Sequence, residues 1–311
     1  MTDPAWLTST HVAVVAGKGG VGSSTVAAAY ALAAARDGAD VLFVAVDGRP
    51  GMGTLLGGRP LDDTDRILQR VAGAGQVRGR TIPVDQAFGD YLDLRGVGGL
   101  LRRAASAASL PMIAAATPGL QHLLVLGKIK ELERERAADL IVVDAPPAGH
   151  AAPFLRSATG LSDVVQSGPI REQAEEVNAM LTDPARCRAM IVVLPEVTPV
   201  TEGLELAAEV GGELGIDLLP LVVNSCWPDR AGLDKSPAVA ARSQSVKLSA
   251  ASKRTLDSSA AFGRARLDQQ RSQIDRLRTA LDAEVITLPR LTITDLGRAD
   301  LSELADALVD Q

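Results

Sequence analysis

The sequence predicts an α/β protein, with a mostly parallel sheet flanked by helices. Helix-forming segments separate apolar stretches typical of buried strands, which begin near residues 11, 41, 139, 189, 218 and 284. Such alternation is typical of parallel sheets, whose ligands bind beyond the carboxyl ends of the strands. The chain has 311 residues, 46% hydrophobic and 23% charged, which suffices for a large core.

The first predicted strand, from His11 to Ala16, leads into a glycine-rich segment. An alanine-rich stretch from Ser24 to Arg36 follows and predicts a helix. A glycine-rich turn between a strand and a helix presents backbone N–H groups and the positive end of the helix dipole to an anion. The sequence therefore predicts a phosphate-binding loop composed of Gly17, Lys18, Gly19, Gly20, Val21, Gly22, Ser23, Ser24 and Thr25.

This loop departs from the general P-loop pattern at one position. The pattern G-x-x-x-x-G-K-[ST] would begin at Gly17 and place its lysine at position 23, where the chain has Ser23. The loop resembles that of the deviant Walker-A ATPases, K-G-G-x-G-K-[ST]-T, in Lys18, Ser24 and Thr25. The resemblance implies that Lys18 reaches the nucleotide of a partner subunit and that Ser24 ligates Mg²⁺. The lysine that acts within its own subunit is missing.

Two later segments resemble the arsenite-pump and tail-anchored-protein-targeting ATPases. Asp47 follows a second apolar strand, Val41 to Val46, and corresponds to the switch I aspartate, although the family's D-P-A is here Asp-Gly-Arg. A third strand, Asp139 to Val143, precedes a segment from Asp144 to His150 that resembles switch II, D-T-A-P-T-G-H. We expect Asp47 to orient or deprotonate the attacking water and Asp144 to hold Mg²⁺ through a water. A turn residue at a strand end is the alternative for Asp47.

A fourth segment, Leu218 to Asn224, is a strand ending in the asparagine that reads adenine in this family. Because the four segments occur in family order, ATP and Mg²⁺ are the expected ligands. The stretches 89–99 and 127–133, with 144–147, resemble the actinobacterial branch, whose members occur as paired, non-identical subunits.

The sequence predicts a single ATPase domain over residues 1–311, with an inserted helical subdomain. Residues 83–136 and 151–182 are predicted to be helical, and in the resembled family these regions form a client-binding groove across a dimer. Residues 104–127 carry no charge, but prolines and polar residues interrupt them and argue against a membrane span. Their apolar side chains predict either a groove wall for an apolar client or the subdomain's own core. These side chains are Leu110, Met112, Ile113, Leu120, Leu123, Leu124 and Leu126.

Charge is distributed unevenly along the chain. The net charge is −6, yet residues 242–278 hold nine Lys or Arg against three Asp, a net +6 that leaves −12 for the remainder. Within a basic segment over residues 229–260, the serine- and alanine-rich part 236–259 predicts a flexible loop. A solvated helix face is favoured over a ligand site for the basic residues, and no nucleic-acid partner is expected. A helical stripe follows, formed by Leu267, Ile274, Leu277 and Leu281.

The cysteines and the two ends of the sequence argue against a zinc site, metalloid activation, secretion and lipid binding. Cys187 and Cys226 are the only cysteines, which excludes a C-x-x-C zinc clasp and does not support the cysteine triplet of metalloid-activated pumps. No Lys or Arg precedes Lys18, so we expect no signal peptide and a cytoplasmic protein. The acidic C-terminal helix argues against the lipid binding of division-site-placement ATPases. No stable membrane insertion is expected.

The missing ammonium at position 23 predicts weak self-hydrolysis. Losing a charge-assisted hydrogen bond of about 1.5–3 kcal/mol weakens nucleotide binding by roughly 10- to 150-fold. Losing a preorganised positive group at the transition state costs about 10²- to 10³-fold in rate. The favoured hypothesis is an ATP hydrolase that activates a homologous partner through Lys18, as a hetero-dimer rather than a homodimer. The alternatives are a non-catalytic regulatory nucleotide-binding module and an autonomous homodimeric ATPase in which Arg49 or Lys18 replaces the missing charge.

Overall fold

The computed structural model describes residues 4–46, 51–94, 119–146, 150–281 and 283–310. Within these ranges one eight-stranded sheet has the order β3-β4-β2-β5-β1-β6-β7-β8. The strands are β1 Val12–Gly17, β2 Asp40–Ala45, β3 Arg66–Arg70, β4 Gln76–Thr81, β5 Leu140–Asp144, β6 Cys187–Val193, β7 Leu221–Cys226 and β8 Val285–Pro289. All neighbours are parallel except the antiparallel pair β3–β4, which confirms the predicted α/β fold.

Helices cover both faces of this sheet. A 3-10 helix, Pro4–Thr8, begins the described chain, and a π-helix, Ala208–Glu213, continues directly from α7. The α-helices are α1 Ser23–Arg36, α2 Gly51–Leu55, α3 Val84–Leu94, α4 Leu120–Arg134, α5 Ala151–Val164, α6 Pro169–Leu181, α7 Val197–Ala207, α8 Pro237–Ser243, α9 Ala250–Ala280 and α10 Arg298–Val309.

One sheet face is covered by α1 and α10. Alanines make α1 narrow enough to be buried on almost every side, including the run from Ala27 to Ala35. The apolar stripe of α10 packs in the same cluster, where Leu301, Leu304 and Leu308 are buried. This stripe therefore stabilises the core. None of the helices within the described ranges combines the length and apolarity that a bilayer span requires.

Helices α4, α5 and α6 cover the opposite face of the sheet. The described parts of residues 83–136 and 151–182 are largely helical, as predicted. Four of the apolar residues for which the sequence predicts either a groove wall or a core position are buried in the core, so the core prediction is correct for them. They are Leu120, Leu123, Leu124 and Leu126. Leu110, Met112 and Ile113 lie outside the described residues.

Two strands were missed because their side chains are polar. β3 is an exposed edge strand, and β4 contains Arg78 and Arg80 instead of an apolar run. Ion pairs with Asp65, each 3.0 Å long, hold both arginines, and Arg78 also pairs with Asp40 at 3.0 Å. Paired guanidinium groups can therefore occupy partly buried strand positions that the apolar pattern does not reveal.

The prediction of a loop over residues 236–259 was wrong, because α8 and the start of α9 lie there. Ser236 and Ser249 cap these helices by accepting hydrogen bonds from Val239 N at 3.4 Å and Ser252 N at 3.0 Å. Alanines favour the helical state once a cap is present. The following apolar stripe is confirmed, with its buried members Leu267, Ile274 and Leu277 facing the protein.

Candidate functional site

The predicted nucleotide motifs meet at one edge of the sheet. β1 ends at Gly17, β5 ends at Asp144, and β7 carries Asn224 near its end. β1 pairs in parallel with both β5 and β6, and β6 pairs in parallel with β7. Segments far apart in sequence thus bring their carboxyl ends together around the N-terminus of α1.

The phosphate loop depends on glycine at several positions. Gly20 and Gly22 have φ angles of 82° and 85°, which disfavour other residues. A Cβ atom at Gly17 would lie 2.6 Å from Val21 Cγ2 and 2.7 Å from Val192 O. The tight turn leads directly into α1, whose N-cap has no side-chain hydrogen bond. The first N–H groups of α1 are therefore suited to an anionic ligand.

Ser24 and Asp144 form a buried hydroxyl–carboxylate pair behind the loop. Ser24 Oγ donates a hydrogen bond to Asp144 Oδ1 at 3.0 Å, and the two residues are 7% and 3% exposed. Register fixes this approach, because Val15 pairs with Asp144 and α1 begins a few residues later. Hydroxyl and carboxylate oxygens are hard donors that fit Mg²⁺. These are the two residues that the sequence predicts to hold the ion.

Asn224 braces the loop, a contact that sequence reasoning missed. Its Nδ2 donates to Val21 O at 2.9 Å, and its Oδ1 accepts from Ser225 N at 2.8 Å. A Cβ atom at Gly22 would lie 2.4 Å from this Nδ2, so the amide lies against bare backbone. Adenine recognition by Asn224 stays a prediction. The brace depends on β7 lying two strands from β1, which no local pattern encodes.

Lys18 lies at the rim of the loop. It is half-buried, whereas Gly19 and Gly20 are exposed. Within the described ranges no carboxylate lies within 4.0 Å of its ammonium. It lines a cleft of about 100 Å³ together with Gly17, Ala151, Ala152, Glu205, Leu206 and Glu209. Among the described residues, Lys18 thus has no carboxylate partner at the edge where the nucleotide motifs meet.

The switch segments are described only in part. Asp47, Gly48 and Arg49 lie outside the described residues, as do residues 147–149 of switch II. Val46 N donates to Asp144 O at 3.3 Å, which places the residue before Asp47 beside the end of β5. His150 is the N-cap residue of α5. The proposed catalytic role of Asp47 stays a prediction.

The two cysteines are free and buried. Burial raises the pKa of the Cys226 thiol to about 11, and burial together with nearby Glu133 raises that of Cys187 to about 12. Both thiols are therefore protonated at neutral pH and poor nucleophiles. Throughout the described ranges, no group of three His, Cys, Asp or Glu side chains could form a metal site.

Comparisons with known proteins identify the family of this chain. The family model for anion-transporting ATPases matches residues 10–54, which contain β1, the loop, α1 and β2. The chain is 36% identical over 234 residues to ATPase BagA of Mycobacterium tuberculosis, covering 72% of this chain and 68% of BagA. It is 29% identical over 207 residues to the arsenical pump-driving ATPase of Acidiphilium multivorum, covering 62% of this chain and 31% of the pump ATPase. With its parallel sheet and phosphate loop, the chain belongs to the anion-transporting, or arsenite-pump, ATPase family.

Proposed function

We propose that the chain is one subunit of a two-subunit P-loop ATPase that binds ATP and Mg²⁺ where the subunits meet. The observation that carries this proposal is the contrast between two neighbouring positions. Lys18 has no carboxylate partner among the described residues and lies at the loop rim, whereas Ser23 supplies no charge inside the loop. The residue suited to a second subunit is retained, and the residue suited to its own site is lost.

Within this subunit, the residues divide into four roles. The glycine-rich backbone and the start of α1 would bind phosphate oxygens, while Ser24 would ligate Mg²⁺ directly and Asp144 would hold it through a water. ATP supplies the phosphoryl group that is transferred to water. Asp47 orients or deprotonates that water, and Asn224 keeps the loop in place through Val21. Ser23 offers a hydroxyl hydrogen bond but no positive charge, so turnover at this site is weak.

The partner we propose is a homologous subunit that receives Lys18. A preorganised positive group at the transferring phosphoryl typically contributes about 10²- to 10³-fold in rate. A hetero-dimer with a subunit that has an intact loop is favoured, since it pairs one strong site with the donated lysine. A second copy of this chain can occupy the same place and would form a weaker enzyme.

We propose that α5 couples the nucleotide bound at the phosphate loop to the shape of a nearby groove. This helix begins at Ala151, immediately after switch II, and extends to Val164, which is 78% exposed. With the start of α4 and the π-helix it borders an open, mainly apolar groove of about 550 Å³. The groove is lined by Gly119, His122, Pro153, Arg156, Ser157, Gly160, Leu161, Val164 and Glu209. We propose that it receives an apolar client or partner segment.

A complementation assay tests the donated lysine. One chain carries both Ser23→Lys and Lys18→Ala. The first change restores the lysine that acts within its own site, and the second removes the lysine that would reach the partner's site. Mixing it with the wild-type chain should raise ATP turnover about 10²-fold over the sum of the separate chains. Mixing it with Lys18→Ala should not. Lys128→Ala, which removes a lysine paired with Asp90 elsewhere, is the matched control and should complement like wild type.

The alternatives give different results in the same assay. A regulatory nucleotide-binding module would bind a fluorescent ATP analogue but show no turnover in any mixture. An autonomous homodimeric ATPase would turn over steadily as the wild-type chain alone and lose that activity with Asp47→Ala. Turnover that does not depend on Lys18 in the mixture contradicts our proposal.

A further inference from the structure

Three glutamates recur at every fourth position across the end of α7 and the π-helix. They are Glu205, Glu209 and Glu213, and a spacing of four residues places side chains on one face of a helix. Like charges at this spacing repel one another. The sequence therefore concentrates negative charge along one face, and the first two of these glutamates border the cleft that Lys18 lines.

One arginine of α5 neutralises two of these carboxylates. Arg156 Nη2 donates to Glu209 Oε1 and to Glu213 Oε2, both at 2.7 Å, and its Nε donates to the same Glu209 oxygen at 3.1 Å. Glu205 differs, since within the described ranges no cationic nitrogen lies within 4.0 Å of it. Exposed ion pairs contribute little to stability, and Arg156 is 49% exposed. The network therefore matters more for which cation reaches Glu209 than for the fold.

Glu209 is shared by two clefts. It lines the groove beside α5, and it also borders the cleft at the phosphate loop together with Lys18 and Glu205. The Glu209 side chain is 26% exposed, whereas Glu205 belongs to the exposed surface. Water and salt screen a partly buried carboxylate less than an exposed one. Glu209 is therefore the stronger competitor for a neighbouring cation.

Lys18 borders the same cleft as this carboxylate but does not pair with it. The cleft is small, about 100 Å³, and the lysine ammonium moves on a flexible four-carbon stem. With Arg156 on Glu209, no carboxylate in the described part of the chain lies within 4.0 Å of Lys18. Loss of the guanidinium would leave a partly buried carboxylate within the reach of the lysine, and opposite charges at short range attract each other strongly there.

We infer that Arg156 is a positioning residue for Lys18: by occupying Glu209, it keeps that carboxylate from capturing the Lys18 ammonium. The inference rests on the proposed donation of Lys18 to a partner subunit and adds a regulation of that donation. α5 begins at Ala151, directly after the switch II segment, so a displacement of α5 that separates Arg156 from Glu209 withdraws Lys18. Lys18 is available while α5 keeps its present position.

Acetylation of Lys18 in the nucleotide-free chain measures this capture directly. Only the uncharged amine reacts with acetic anhydride, and a carboxylate partner favours the ammonium. Arg156→Gln should therefore slow acetylation of Lys18 about three- to tenfold relative to Lys253, an exposed lysine with no carboxylate partner in the described chain. Mass spectrometry of the peptides gives both rates from one sample. An unchanged Lys18 rate would overturn the inference.

A second substitution identifies the carboxylate that captures the lysine. Arg156→Gln combined with Glu209→Gln should restore the wild-type acetylation rate of Lys18. Arg156→Gln combined with Glu205→Gln should stay slow, although both glutamates border the same cleft. Equal rescue by the two glutamate substitutions would contradict a specific role of Glu209.

A matched control separates capture of the lysine from the loss of any exposed ion pair. Arg271 on α9 is likewise exposed and pairs with two carboxylates, Asp229 at 2.8 Å and Asp268 at 3.7 Å. Arg271→Gln should leave the acetylation rate of Lys18 unchanged. A slowing as large as that of Arg156→Gln would show that the effect does not come from the cleft and would overturn the inference.

The complementation assay shows whether capture affects the donated lysine. The chain with Ser23→Lys and Lys18→Ala is mixed with donor chains that retain Lys18. An Arg156→Gln donor should give about tenfold less turnover than the wild-type donor, and adding Glu209→Gln to that donor should restore turnover. A deficit that Glu209→Gln does not restore would assign Arg156 a purely structural role and contradict the inference.

The outcomes separate this inference from the proposed function. If Lys18-dependent complementation occurs while Arg156→Gln changes neither acetylation nor turnover, the inference fails and the proposed function stands. If Arg156→Gln slows acetylation and Glu209→Gln restores it, yet no mixture gains turnover, the proposed function fails and the capture of Lys18 by Glu209 stands. If neither measurement responds, both fail.

Discussion

A single carboxylate, Glu133, ties together three parts of the chain on the side away from the phosphate loop. It lies in the last turn of α4, and it contacts His11 Nδ1 at 3.4 Å and Arg186 Nη2 at 2.6 Å, just before β1 and β6 respectively. Burial alone would raise the pKa of the Glu133 carboxyl. Hydrogen bonding and charge from Arg186, with a smaller effect of His11, outweigh burial, so that the net effect is a lowered pKa. A carboxyl with a lowered pKa stabilises the folded state when the pH is above the ordinary pKa of 4.5, and this stabilisation is lost as the pH falls through the lowered pKa.

Glu133→Gln should lower the free energy of unfolding by about 1–3 kcal/mol at pH 7, because charged hydrogen bonds to Arg186 are lost. The difference from wild type should shrink as the pH falls below 4.5 and protonation removes the same charge. Urea denaturation at several pH values measures both effects. Glu135→Gln, at an exposed neighbouring position, is the control and should change little. A deficit that stays constant down to pH 3.5 would contradict this explanation.

The junction between the phosphate loop and α1 depends on packing as well as on backbone conformation. Gly22 has a φ angle of 85° and supports the amide of Asn224, which in turn holds Val21 O. Ser225 also adopts a positive φ, 60°, immediately after that asparagine. Left-handed conformations persist where the surroundings enforce them, and here they lie at the sheet edge that carries the phosphate loop.

Gly22→Ala should destabilise the protein by about 1–3 kcal/mol and abolish nucleotide binding, since the new methyl group meets Asn224 in a strained conformation. Gly160→Ala is the matched control. It lies within α5, where a Cβ atom would have no neighbour within 4 Å, and should stabilise by about 0.5–1 kcal/mol. Urea denaturation and binding of a fluorescent ATP analogue distinguish the two. Normal binding by Gly22→Ala would show that the loop tolerates displacement of Asn224.

Features that depend on neighbouring residues could be predicted from the sequence, whereas features that depend on contacts between distant segments could not. β1, β2 and β5 carry continuous apolar runs, and the loop carries its own glycines, so local residues were sufficient. β3 and β4 are stabilised by ion pairs between separate segments, which the apolar pattern does not record. The brace from Asn224 likewise requires the strand order. The prediction of a loop over 236–259 was wrong because serine-rich composition is typical of loops, whereas Ser236 and Ser249 act as helix caps here.

The complete sheet needs its C-terminal helix. α10 packs on α1, which is itself narrow and covers the central strands. Leu308 is fully buried at this contact, whereas Asp306 on the same helix is 61% exposed and pairs with Arg36 at 2.6 Å. Substitutions at these two positions of one helix therefore distinguish the contribution of core packing from that of a surface ion pair.

Leu308→Ala should lower the free energy of unfolding by about 2–5 kcal/mol, through lost burial and the cavity that remains. Asp306→Ala should cost no more than about 1 kcal/mol, as is typical of exposed ion pairs. Chemical denaturation followed by circular dichroism measures both values. If the two variants were equally stable, α10 would contribute little to the cooperative core.

Sheet order also affects how the chain is made. β1 is complete at Gly17, yet its two neighbours are β5 and β6, the second of which ends at Val193. At about 5–20 residues per second, a ribosome needs roughly 10–35 s to synthesise the intervening stretch. Until β5 has been made, β1, one of the two central strands and composed almost entirely of Val and Ala, lacks both of its neighbours, and it lacks one of them until β6 is complete. We therefore expect nascent chains to need chaperone protection until β6 has emerged, and ribosome profiling with chaperone pull-down would reveal that window.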